Sequence, residues 1–192
     1  MECLSHIAAW FPADVKIAGV RLSPPTLGQW RLLEAVGSPF AFGGDATVDD
    51  ARFALALLSL PWRAGTEILR HPRRLRVRAA WKGMRATAET VRELAEWCDC
   101  AWASPERYRR DGEVSGDGFE PCCGISVRYA MRANRLNLTG LFPFRARTVW
   151  DLPIPFVLWG CVCASELDGA EFEAEDEPRV RESWNGRPST PL

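Results

Sequence analysis

Two helix starts, each followed by an apolar run, fall between Thr26 and Leu60, and they constrain this chain more than any other feature. Thr26-Leu27-Gly28-Gln29 has the spacing of a capping box, in which the threonine hydroxyl and the glutamine side chain satisfy amides that the first helical turn leaves unpaired. Trp30, Leu32, Leu33 and Val36 then supply an apolar face, and Gly37 with Pro39 marks the stop. Thr47 opens the second helix, with Asp49 and Asp50 in the first turn at the positive end of the helix dipole. Ala51 to Leu60 is apolar at nearly every position, so this helix is expected to be central and surrounded.

The rest of the chain extends the helical pattern. Arg63 to Arg85 carries Arg70, His71, Arg73, Arg74, Arg76, Arg78 and Lys82, interleaved with Leu69, Leu75, Val77, Ala80, Trp81 and Met84. That spacing predicts an amphipathic helix, interrupted near Pro72, with a cationic solvated face. A further helix begins at Thr87, with Val91, Leu94, Ala95 and Cys98 on one face. Ser104-Pro105 has the form of a helix N-cap followed by proline at the first helical position. Asp111 to Gly118 reads as a loop, Cys122 to Asn134 as a helix, and Asp151 to Leu167 as a last helix capped by Asp151 and ended by Gly169.

Outside this region the signals weaken. Val15 to Leu22 alternates in a way that suits one short strand or an extended arm, which Ser23-Pro24-Pro25 ends. Beyond Gly169 the chain is acidic and then rich in proline, serine and glycine, so it has too little apolar surface to order itself. The expectation is an all-α fold, a compact bundle of about six helices over residues 26–169. An irregular arm over 1–25 precedes it and a disordered acidic and proline-rich tail over 170–192 follows it.

Charge and cysteine usage narrow the function classes. With 24 lysines and arginines against 25 aspartates and glutamates, the chain has no global attraction for nucleic acid or an anionic membrane, so any charged partner must be met by a local patch. The opening MECLSHIAAWFPADVK lacks a basic segment, a long apolar segment and a cleavage signal, so no secretion signal is expected. Leu152 to Ala164 holds two prolines and falls short of the roughly 20 residues of a membrane span.

Six of the seven cysteines sit in close pairs, Cys98 with Cys100, Cys122 with Cys123, and Cys161 with Cys163. Such pairs suit a reducing compartment better than a framework of disulfides closing large loops. They are also the residues that would hold zinc or an iron–sulfur cluster, if the chain holds one. On a helix, residues two apart point about 200° from each other, so Cys161 and Cys163 reach one ion only if the helix breaks between them. Burial as small hydrophobes is therefore the preferred reading, with no metal and no cofactor, and metal binding is the alternative. His6 and His71, the two histidines, lack the local signature of a general base, and no phosphate-binding glycine loop is present, so no catalytic residue is assigned. The remaining lead is a surface for protein contacts, assigned to Trp62, Arg63, Arg70, Arg73, Arg74 and Trp81, because tryptophan and arginine dominate interface energies. Nucleic acid is the disfavoured partner of the same basic segment, for want of a reading motif.

A resemblance gives these contacts a context. Leu22-Ser-Pro-Pro-Thr-Leu-Gly-Gln-Trp-Arg-Leu-Leu-Glu-Ala-Val-Gly-Ser-Pro-Phe40, then Gly43-Gly44, Thr47-Val48-Asp49-Asp50 and Ala54 to Ser59, resemble the opening helices of the tail assembly chaperones of long-tailed bacteriophages. Val149-Trp150-Asp151-Leu152-Pro153, Phe156 to Trp159 and Gly169 are similar to a late helix in the same group. The resemblance implies a helical non-enzyme that binds the tape measure protein, meets the tail tube protein during assembly, acts in the host cytoplasm and is not retained in the virion. Self-association and a role as a structural virion component are left open.

Overall fold

The computed structural model describes residues 14–102, 107–109, 124–141, 146–167 and 172–174. The described residues are mostly helical, as expected from the sequence. They form α1 (Leu27–Ala35), α2 (Pro39–Phe42), α3 (Val48–Leu58), α4 (Trp62–Leu69), α5 (Pro72–Lys82), α6 (Ala88–Trp102), α7 (Ile125–Arg135), α8 (Leu138–Leu141) and α9 (Ile154–Leu167). The count exceeds the expected six because Pro39 and Pro72 each open a helix of their own and Asn137, at φ 52, separates α8 from α7.

Both predicted starts carry reciprocal caps. The Thr26 hydroxyl accepts from the Gln29 amide at 3.2 Å while the Gln29 side chain accepts from the Thr26 amide at 2.9 Å. Gln29 also donates through Nε2 to the carbonyls of Leu58 and Leu60, at 2.8 and 2.7 Å, so one side chain starts α1 and finishes α3. Thr47 and Asp50 form the same reciprocal pair at the head of α3. This helix is the centre of the core: Ala51, Ala54, Leu55, Ala56, Leu57 and Leu58 are all buried, with α1, α4, α5 and α6 packed around it. Of the face predicted for α1, Trp30, Leu32 and Leu33 are buried and Val36, at the C-cap, is exposed.

Two glycines set how closely α1 and α4 cross. A Cβ on Gly28 would stand 2.4 Å from the Trp62 ring, and one on Gly65 would stand 2.2 Å from Leu32 Cδ1. Only hydrogen at each position lets the tryptophan and the leucine lie flat against the opposing backbone. At the start of α1, the Leu27 amide donates to the Leu152 carbonyl and the Ile154 amide to the Pro25 carbonyl, at 3.0 and 2.9 Å. This short bridge places the entries of α1 and α9 side by side, so the two stretches of sequence that carry the resemblance meet in space.

Several expectations need correction. Val15 to Leu22 is neither one strand nor an extended arm: Val15–Ile17 (β1) and Val20–Leu22 (β2) form an antiparallel hairpin turned at Ala18 and Gly19, both with positive φ. Ile17, Val20 and Leu22 are buried against the helices, which gives the hairpin the partner a lone strand lacks. Asp151 does not cap α9; it closes the 3-10 turn Val149–Asp151 by pairing with Thr148. Past Ser104-Pro105, Arg107–Arg109 (β3) is a strand, paired antiparallel with Phe172–Ala174 (β4) inside the segment expected to be a disordered tail. A ladder satisfies the backbone of so short a segment without an apolar core of its own. Residues 1–13, the Ser104-Pro105 cap, the Asp111–Gly118 loop, Cys122, Cys123, Gly169 and the rest of the tail lie outside the described residues.

Candidate protein-binding face on helix α5

Helix α5 follows α4 through a two-residue break at Arg70 and His71, with Pro72 in its first turn, where a missing amide costs nothing. Its inner face is small and apolar, Leu75 and Ala79, both buried against α3. Arg78 also faces inward and donates from Nε to the Ala56 carbonyl and from Nη2 to Ser59 Oγ, each at 3.1 Å. Ser59 Oγ itself donates to the Ala56 carbonyl at 3.2 Å, so Arg78 joins a small network that closes the end of α3. Partial burial disfavours the charged form and draws the guanidinium pKa down.

The outer face is different. Val77 and Met84, apolar positions of the predicted amphipathic helix, are each 71% exposed, and Trp81, assigned from sequence to a contact surface, is 64% exposed. They stand at i, i+4 and i+7, so they form one line along the helix and its C-terminal exit. Single exposed apolar residues are ordinary on a protein surface, whereas three large ones in a line form a patch that folding does not account for. Arg73, Arg74, Val77, Arg78 and Trp81 line an open groove of about 410 Å³ beside this stripe. The Lys82 ammonium lies 4.9 Å from the centre of the Trp81 ring, a cation–π contact on a side chain that stays mostly exposed.

The residues assigned from sequence to a contact surface divide into two groups. Trp62 and Arg63 are engaged within the molecule: Trp62 Nε1 donates to Asp151 Oδ1 at 2.7 Å, and Arg63 reaches the same carboxylate at 3.1 and 3.3 Å while stacked 4.7 Å over the Trp62 ring. Burial pushes the Asp151 carboxyl up, and the donors from Trp62, the Thr148 backbone and Arg63 together outweigh it and hold the group below the ordinary aspartate range. Arg70 pairs with Glu67 at 3.2 Å on the surface. Arg73, Arg74 and Trp81 are the three that the fold brings together, and Val77, Met84 and the groove wall at Arg78 join them.

A second carboxylate escaped the sequence reading altogether. The Glu34 side chain is 1% exposed and accepts from the Ser126 amide at 3.0 Å and from Ser126 Oγ at 2.5 Å, capping α7 from a different helix. Arg31, at 3.1 Å, balances its charge. A Cβ at Gly124 would fall 2.2 Å from the carboxylate, so that residue keeps the approach open. Glu34 and Ser126 are 92 positions apart, and no local pattern announces such a pair.

The cysteines follow helix geometry. Helix α9 runs unbroken through Cys161, which is buried, and Cys163, which is exposed; on α6, Cys98 is buried and Cys100 exposed. Burial pushes the Cys98 thiol up to about 12, with Asp99 adding to the shift, and burial raises Cys161 in the same direction. Thiols shifted this way are poor nucleophiles at neutral pH. Among the described residues no group of three or more histidines, cysteines, aspartates or glutamates is placed to hold a metal ion, and no helix is long and apolar enough to cross a membrane. Comparison of the chain with protein-family models, with curated proteins and with solved structures finds no match.

Proposed function

We propose that the protein acts by binding another protein and carries out no chemistry, and that it serves as a tail assembly chaperone of a long-tailed bacteriophage. The observation that carries the binding role is the exposed line of Val77, Trp81 and Met84 beside a groove walled by Arg73 and Arg74. A rigid helix with an open tryptophan and neighbouring arginines has the composition of an interface hot spot. The resemblance over Leu22 to Ser59 and Val149 to Trp159 supplies the biological setting. In that setting the client is the tape measure protein, the tail tube protein displaces the chaperone as the tube grows, and the work is done in the host cytoplasm.

Co-expression with the tape measure protein encoded nearby tests the reading. The expected result is a more soluble client that co-purifies with this chain, and loss of both effects with Trp81→Glu, at a site open enough to leave the fold intact. No gain in solubility and no co-purification, or full retention of both in Trp81→Glu, would overturn it.

A further inference from the structure

The segment Arg70 to Arg85 contains seven arginines and lysines and no carboxylate, in a chain whose total charge is close to zero. Arg78 is turned inward and Arg70 pairs with Glu67. The other five, Arg73, Arg74, Arg76, Lys82 and Arg85, form no ion pair among the described residues. Arg73 and Arg74 stand in the first turn of α5, where the helix dipole disfavours cations and no acidic residue offsets them. These five cations have no carboxylate partner among the described residues, and an anionic partner would supply one.

The apolar stripe decides what kind of anionic partner fits. A nucleic-acid strand would satisfy the arginines and stack a base on Trp81, but it would press Val77 and Met84 against a polyanion. A second copy of the chain, laid face to face, would oppose one cationic segment with another. Resting on the reading of α5 as the client-binding face, we infer that its occupant is an amphipathic helix whose apolar residues, at i, i+4 and i+7, are flanked by glutamates or aspartates. The apolar line spans about 10 Å along the helix, the length of two turns of such a partner. Its side chains cover Val77, Trp81 and Met84 while its carboxylates reach Arg73 and Arg74 on the groove wall.

Labelled helical peptides titrated against the full-length chain by fluorescence anisotropy test this. One peptide carries leucines at i, i+4 and i+7 with glutamate flanks, a second has the same leucines with lysine flanks, and a third keeps the glutamates but has serines on the stripe. The first is expected to bind roughly tenfold tighter than either of the others, since a few surface ion pairs and the stripe each contribute on that scale. Added salt should narrow the gap to the lysine peptide. Arg73→Glu with Arg74→Glu should reverse the preference between flanks, and Trp81→Ser should remove the gain from the stripe, with circular dichroism confirming the fold in each variant. Equal binding of the glutamate and lysine peptides, or a labelled single-stranded oligonucleotide binding more tightly than the first peptide and depending on Trp81, overturns the inference. If the flanks do not matter but Trp81→Glu still abolishes co-purification, the chaperone reading stands and only the partner chemistry fails. If the flank preference holds and co-purification does not, the chemistry of α5 stands without the phage role.

Discussion

Helices α3 and α5 are each eleven residues long and lie against one another, yet they make opposite use of their surfaces. In α3 every residue from Ala54 to Leu58 is buried, and both ends are tied down, by Thr47 with Asp50 at one and by Gln29 and Arg78 at the other. In α5 only Leu75 and Ala79 are buried, while Val77 and Trp81 face solvent among arginines. Apolar side chains in α3 are explained by the stability they provide. Those on the outside of α5 contribute little to folding, and that surplus is what marks the helix as a surface for contacts.

The contrast can be broken first by truncating one apolar residue on each helix. Leu55→Ala, at a fully buried position, should lower stability by about 3 kcal/mol, read as a drop in the urea midpoint, whereas Trp81→Ala should change it by less than about 0.5 kcal/mol. A comparable loss in the two variants would place Trp81 in the core and remove the case for a binding face. The arginines of α5 offer a finer division. Arg78→Ala strips two hydrogen bonds from the end of α3 and should cost roughly 1 to 2 kcal/mol, while Arg74→Ala should leave the midpoint where it is and weaken partner binding instead. If both variants unfold at the wild-type midpoint, Arg78 is not the brace that joins the two helices.

The smallest effect concerns the anchor of α4, through which α5 is hung. Because the folded pKa of Asp151 lies below its unfolded value, this carboxylate stabilises the fold above the unfolded aspartate pKa of about 3.9, and the contribution is lost as pH falls through the folded value. Melting temperatures followed from neutral pH down through that window should decline less steeply in Asp151→Asn than in the wild type. Parallel slopes would mean that the bonds from Trp62 and Arg63 do not favour the charged form.

What could be read from the chain was what neighbours in sequence decide. A threonine three residues before a glutamine, an apolar run with a charged first turn and a proline after a basic break each act within one or two turns of backbone. They therefore locate α1, α3 and the division between α4 and α5, and they place Cys161 and Cys163 on different sides of α9. The hairpin at Val15 to Leu22 escaped because its turn is Ala18-Gly19, without the Asn-Gly or Asp-Gly signal of such turns. Half of the candidate site escaped for a related reason, because periodicity finds a face but not what covers it.

The amino-acid sequence by itself determined that this protein is helical, where α1 and α3 begin, and that one short segment carries a concentrated positive charge. Only the tertiary structure decided which side of that segment is buried. It turned Leu75, Ala79 and Arg78 toward α3, left Val77, Trp81 and Met84 in solvent, and drew Trp62 and Arg63 onto Asp151, nearly ninety residues away. Helical periodicity is a local property of the backbone, whereas the choice of which apolar line to bury depends on the shape of every element packed around it.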